Sequence, residues 1–358
     1  MLTRLIRNLF GTPADAAGEL LARLERARAL LKDNRPQEAL DAIAPFLARN
    51  PDHAEALFVR GTALVELSRA DEALPGLTRA TELSPREPRY LFNLALAHWI
   101  LGNSARTIEL CKRAVEHGDF HQAHILLANI ELHGEHYFAV LSRLHQYLRP
   151  ATYIEVGVFR GGSLQLVHPD TVALGVDPQP VLEQPAGPNQ RVFAETSDHF
   201  FSTHDVLAEF GGRRVELAFI DGMHHFEFAL RDFINIERLA TRETVVLVHD
   251  CYPLDAATAA RDRSTVFWSG DVWRLILLLK KYRPDLVVKT IATPPTGLGV
   301  ILNLDPQSRV LADNLDAITS EFLATDFAVI DGKKQEAMNL FPNDWPALQG
   351  LLDSRLSR

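Results

Sequence analysis

The chain has 358 residues, 47% of them hydrophobic and 23% charged, with a formal net charge of −9. That length accommodates two domains with separate cores, and an acidic chain without a basic stripe excludes a nucleic-acid surface, which needs clustered Lys and Arg. No apolar run reaches the roughly 18 residues that a transmembrane helix needs, and two cysteines, Cys111 and Cys251, make no disulfide framework, which points to a reducing cytoplasm.

In chain order, the first segment (1–15) opens with the basic, amphipathic stretch Met1–Phe10, too short for a cleavable signal peptide and expected to form a terminal helix. Residues 16–148 are then expected to be helical repeats. At an offset of 34, Gln37–Leu40 falls on Asp71–Leu74 and then on Ala105–Ile108, Pro51 falls on Pro85, and Leu57-Phe58 falls on Leu91-Phe92. This period, with small residues inside helices and prolines between them, resembles the tetratricopeptide repeat. Each unit is a helix pair that buries its apolar face only by stacking on its neighbours. Such arrays present a surface to a protein partner, dock a substrate or mediate self-association; Tyr90, Phe92 and Trp99, at helical spacing, read as packing residues.

From residue 149 to 305 short β-rich runs alternate with helical ones, the pattern of an α/β doubly wound sheet. The candidate strands, seven in all, are Tyr153–Val158, Thr171–Val176, Arg191–Ala194, Leu217–Ile220, Thr244–Val248, Leu286–Ile291 and Gly299–Leu304. The turn-forming Ala-Thr-Pro-Pro-Thr-Gly297 between the last two predicts a hairpin, hence an antiparallel final strand. A helix is expected over Asp198–Phe210, with Asp198 either its N-cap or a ligand contact. Residues 306–358 form a C-terminal extension with helices near Ser308–Ala324 and Trp345–Ser357.

Ligands of doubly wound sheets sit beyond the carboxyl ends of the strands. Two blocks there carry chemistry. The first is Tyr153-Ile-Glu-Val-Gly-Val-Phe-Arg-Gly-Gly-Ser163, a strand ending in a glycine turn that is expected to open a helix at about Ser163. Asp177, twenty residues beyond Gly157, ends the next strand, where a carboxylate can accept from both hydroxyls of a ribose. Glu155 ahead of the first glycine favours a cationic cofactor over a pyrophosphate, which needs the helix dipole. The second block pairs Phe219-Ile-Asp-Gly-Met-His-His225 with Val248-His-Asp250. It converges carboxylates and imidazoles at neighbouring strand ends, able to hold a hard divalent cation or move a proton.

The acid-first glycine turn resembles motif I of the class I S-adenosylmethionine-dependent methyltransferases, and an antiparallel last strand resembles their Rossmann-like seven-stranded sheet. The resemblance implies that Glu155 lies near the methionine moiety, that Gly157, Gly161, Gly162 and Ser163 line the cofactor turn, and that Asp177 holds the ribose. It places Ser197 and Asp198 beside the adenine. Asp-Gly-x-His after the fourth strand and His-Asp after the fifth look like the subgroup of macrolide sugar O-methyltransferases and cephalosporin-hydroxylase-like proteins. In that subgroup the positions of Asp221 and Asp250 are metal ligands and that of His224 is the general base. His249 stands where the subgroup more often has Glu or Asp, which turns metal preference from Mg²⁺ toward softer ions.

The expectation is therefore an O-methyltransferase, metal-assisted through Asp221, His249 and Asp250, acting on a hydroxyl of a sugar, glycan or secondary metabolite. The competing readings are a diverged, hydroxylase-like member and a protein-interaction scaffold whose sheet domain is inactive.

Overall fold

The computed structural model describes residues 13–355, so the stretch Met1–Phe10 lies outside the described residues. Two compact units divide between Leu127 and Ala128.

In the first unit, helices α1 (Pro13–Lys32), α2 (Pro36–Arg49), α3 (Ala54–Glu66), α4 (Ala70–Leu83), α5 (Pro88–Ile100) and α6 (Ser104–Glu116) follow one another, and α7 (His121–Glu131) runs across the division. The core is built from the small and branched residues that the repeat carries, among them Ala27, Ala39, Ile43, Ala56, Val59 and Ala63. Gly61 shows why one small position matters. A Cβ there would lie 2.4 Å from Cγ of Leu77, so its absence lets α3 and α4 approach closely. Glu55 fastens three helices at once, accepting from Arg28 Nε at 3.0 Å and from the Tyr90 hydroxyl at 2.6 Å.

The second unit begins with α8 (Tyr137–Leu148), then strands β1 (Thr152–Val156), β2 (Val172–Val176) and β3 (Gln190–Phe193), and helices α9 (Ser197–Thr203) and α10 (Val206–Glu209). Next come β4 (Val215–Ile220), α11 (Phe226–Leu239), β5 (Ala240–His249), α12 (Trp273–Tyr282), β6 (Val287–Ile291) and β7 (Leu298–Leu302). The tail adds α13 (Val310–Asp313), α14 (Leu315–Leu323), α15 (Lys334–Ala337), β8 (Leu340–Phe341) and α16 (Trp345–Asp353).

The strands form one sheet of order β3-β2-β1-β4-β5-β7-β6-β8. β7 is antiparallel to both β5 and β6, and the other pairs are parallel. The hairpin and the antiparallel strand were both legible, and the sheet has an eighth strand from the tail. Alternation along each strand sends side chains to two buried faces, as a covered parallel sheet requires. Ile154, Ala218, Ile220, Val246 and Val248 join one core with α11 and α12. Tyr153, Leu217, Phe219, Val245 and Leu247 join the other with Val140, Leu141 and Leu144 of α8 and Leu348 and Leu352 of α16.

Two expectations shift accordingly. The division between the compact units falls at Leu127, ahead of residue 148, and α8 packs on the sheet. Residues 306–358 are not a separate extension, since β8 pairs with β6 and α16 fills a sheet face. A third correction concerns the turn after β1: it leads into a short 3₁₀ turn, Leu164–Leu166, and not an α-helix starting at Ser163. The glycine turn is therefore not backed by an α-helix N-terminus. Among the described residues no helix is long and apolar enough to cross a membrane.

Candidate active site

The carboxyl ends of β1, β2, β4 and β5 bring most of the predicted residues to one edge of the sheet. Glu155, the fourth residue of β1, is fully buried. Its carboxyl group accepts from the Ser163 hydroxyl at 2.5 Å and the Tyr153 hydroxyl at 2.8 Å. Burial raises its pKa to about 8, although these two donors hold it down. Near neutral pH Glu155 is thus largely protonated, ready to ionise beside a cation.

The turn after β1 is left-handed at Gly157 (φ 92°) and again at Gly161 (φ 79°). Gly157 is demanded by packing: a Cβ would lie 2.0 Å from the carbonyl oxygen of Asp221. At Gly161 a Cβ would meet only the end of the Leu182 side chain, at 2.9 Å, and Gly162 faces the Phe138 ring. Asp177 follows β2 and is half-buried; its two oxygens accept from the backbone N–H groups of Phe159 and Gln179, each at 2.8 Å. A carboxylate offers about four lone-pair sites, so two remain for a ligand.

Ser197 and Asp198 are engaged elsewhere. Asp198 is exposed and makes a forked pair with Arg231, at 2.8 and 2.7 Å, while Ser197 bonds to the buried Asp232. Asp198 is not the helix cap either. Thr196 is, accepting from His199 N–H.

The second cluster is tighter. One oxygen of Asp221 and one of Asp250 are bracketed by two imidazoles. His249 Nδ1 lies 3.2 Å from each, and His224 Nε2 lies 3.1 Å from the Asp250 oxygen and 3.7 Å from that of Asp221. His224 and Asp250 both hold left-handed backbone, at φ 56° and 59°, a conformation uncommon for non-glycine residues and costly to hold. Burial pushes the His249 imidazole down, but Asp250 and Asp221 outweigh it and hold its pKa well above the ordinary range. Burial likewise pushes Asp250 up, and the two imidazoles reverse this, leaving its pKa below the usual carboxylate value.

Asp221, His224 and Asp250 each offer a ligand atom, all within 4.8 Å of one another. Two carboxylates and an imidazole fit a divalent ion of borderline softness. His249, expected as the third ligand, reaches the same two oxygens but also bonds to the Thr296 hydroxyl through Nε2 at 3.3 Å. His225, read as structural, contacts the carbonyl of Arg261 at 3.2 Å and Cys251 is buried, its thiol pKa pushed far up by that burial.

Several neighbours were not foreseen. The Tyr137 ring lies 4.1 Å from that of His249, centre to centre, and Trp268 stacks on His224. Asp232 borders the small cavity of about 10 Å³ under Asp221 and His224, room for a single water. Burial raises Asp232 to about 7. Tyr137 carried no signal in sequence, since it starts a helix assigned to the repeats. Thr296 sits in the recognised Pro-Pro turn, where its hydroxyl could have been weighed.

Against known proteins, residues 24–77 and 60–124 match the tetratricopeptide repeat, and residues 154–251 match a methyltransferase domain. The chain thus joins a repeat array to a methyltransferase domain. No curated protein matches it. Similar solved structures include MamA 41-end from Desulfovibrio magneticus RS-1, at 23% identity and TM-score 0.30, covering 31% of this chain and 65% of that one. Another is the type III secretion translocator chaperone SycD of Yersinia enterocolitica, at 15% identity and TM-score 0.27, covering 28% and 76%. The first tetratricopeptide domain of human RPAP3 matches at 17% and 0.27, covering 28% and 78%. The chain spans just under two thirds of the MamA chain that it matches.

Proposed function

We propose that this chain is an S-adenosylmethionine-dependent O-methyltransferase whose acceptor is a hydroxyl of a sugar, glycan or secondary metabolite. The observation that carries the reading is the pairing of Asp221 and Asp250 oxygens between two imidazoles, one strand end away from the Glu155–Asp177 turn. The cofactor supplies a methyl group already activated by its sulfonium, so the protein's task is alignment and removal of the acceptor proton. Asp177 would hold the ribose through its two remaining lone-pair directions, and Glu155 would face the cationic end. Gly157, Gly161, Gly162 and Ser163 shape the turn between them.

At the acceptor end, His224 Nε2 takes the hydroxyl proton and Asp250 stabilises the resulting imidazolium. Asp221 and Asp250, with the His249 imidazole, would hold a divalent cation, which would lower the pKa of a bound hydroxyl and leave His224 free to take its proton. An imidazole in the set favours an ion softer than Mg²⁺. The repeats serve as the docking surface for a protein partner or for self-association, the usual use of such arrays. The two free buried cysteines fit a reducing compartment, and we place the protein in the cytoplasm.

Calorimetric titration with S-adenosylhomocysteine, with and without Mg²⁺ or Mn²⁺, tests the reading beside an Asp177→Ala variant. Binding that Asp177→Ala loses supports it. If the wild-type protein binds nothing under any condition, the methyltransferase reading fails, and the repeats become the working part.

A further inference from the structure

The segment from Trp268 to Asp271, which no family match covers, closes around the His224 turn. Gly270 is left-handed at φ 63°, and a Cβ there would lie 2.0 Å from the His224 carbonyl oxygen. The next residue, Asp271, donates its backbone N–H to that same oxygen at 3.1 Å. Its fully buried carboxylate accepts from Phe226 N–H at 2.7 Å, two residues beyond His224. Arg274 and Arg261 both pair with the other oxygen of that carboxylate, and Arg261 continues to Glu227 in α11. Above the backbone, the Trp268 ring stacks on the His224 imidazole with centroids 5.3 Å apart and planes 16° from parallel. The indole is itself tethered, its N–H donating to the Ala260 carbonyl at 2.6 Å. His224 Nδ1 is buried without a hydrogen-bond partner, so nothing polar fixes the ring from that side.

A strained backbone persists only where its surroundings over-determine it. Here the backbone of His224 is held by Gly270 and Asp271, and its ring by the flat face of Trp268. We propose that Trp268, Gly270 and Asp271 are positioning residues that set the His224 imidazole on the Asp221–Asp250 pair. The inference rests on the reading of that pair as the acceptor end of a methyltransferase site, and it assigns the work of aiming His224 to residues outside the matched domain.

The test uses the full chain with selectively labelled histidine, the ring signals of His224 being identified by their loss in His224→Gln. The stacked indole shields those ring protons. Trp268 is only partly buried, so Trp268→Ala leaves the core intact. In that variant the His224 signals move to ordinary histidine positions and Mn²⁺ affinity falls about 10- to 100-fold, as it does when supporting groups around a ligand are removed. Trp268→Phe, which keeps a flat ring, retains both. Loss of the indole's shielding alone moves the signals in Trp268→Ala, so unchanged Mn²⁺ affinity in that variant overturns the proposal. S-adenosylhomocysteine titrated into the same samples judges the underlying reading separately. Its failure to bind wild-type protein sinks that reading while Mn²⁺ affinity in Trp268→Ala and Trp268→Phe still decides whether Trp268 holds His224.

Discussion

Gly157 lies so close to Asp221 that the backbone of one excludes any side chain on the other: a Cβ at Gly157 would come within 2.0 Å of the Asp221 carbonyl oxygen. The end of β1 and the end of β4 therefore form one packed junction, with Gly157 N–H bonded to Val176 and Asp221 N–H bonded to Val156, each at 2.8 Å. Gly157→Ala must push the β4 turn outward and also strain a φ of 92°. We expect it to abolish S-adenosylhomocysteine binding and to lower stability by about 1–3 kcal/mol, seen together by calorimetry and urea unfolding.

Glu155 makes stability depend on pH in a defined direction. Its folded pKa of about 8 lies above the ordinary 4.5, so the folded state binds more protons across that window. The contribution is complete below pH 4.5 and is lost as pH rises through 8, at about 1.4 kcal/mol per pH unit in between. Glu155→Gln, which mimics the protonated form, is expected to flatten this slope in urea titrations run from acid to mildly alkaline pH. An unchanged slope would show that Glu155 ionises normally.

Binding of the cationic cofactor is expected to release a proton from Glu155 near neutral pH. Titrations in buffers of different ionisation enthalpy measure that release directly. S-adenosylhomocysteine, lacking the sulfonium charge, should release less than S-adenosylmethionine, and Glu155→Gln should erase the difference.

Arg283, 2% exposed, is clamped between Glu237 and Asp285, with Nη1 at 2.7 and 2.8 Å from the two oxygens of the buried Glu237. It ties the end of α11 to the end of α12. Arg283→Met leaves a buried carboxylate unpaired and should cost about 3–5 kcal/mol. Adding Glu237→Leu is expected to recover most of that loss, read as urea midpoints, because removing both charges ends the desolvation penalty.

In the repeats, Gly61→Ala places a methyl group against Leu77 and should destabilise the first unit by about 1–3 kcal/mol. Leu77 is itself fully buried, so adding Leu77→Ala opens a cavity and should lower the thermal midpoint further.

Much of this fold was legible because its signals are local. Apolar runs such as Val245–Val248 mark strands covered on both faces, and Pro51 and Pro85 punctuate a helical period. The acids at strand ends were legible for the same reason: a carboxylate directly after an apolar strand has few structural uses. What escaped was set by tertiary packing. The helix Tyr137–Leu148 reads as one more repeat helix by period, and only Val140, Leu141 and Leu144 against Tyr153 and Val158 reveal its allegiance. Asp198 looked like a ligand contact or a cap until Arg231, from a helix thirty-three residues on, claimed both its oxygens. The strand Leu340–Phe341 is too short for any alternation to show.

That short strand has a consequence for how the molecule survives in a crowded solution. Without it, β6 would end the sheet with a row of unpaired amides flanked by Val287, Val288 and Ile291, a template on which a second chain could add. Thr290 and Ala292 N–H instead bond to the carbonyls of Asn339 and Phe341. The last stretch of the chain thus works as a guard against self-templating. Trimming the chain ahead of Leu340 would expose that β6 edge while leaving Glu155, Asp177, Asp221, His224, His249 and Asp250 in place.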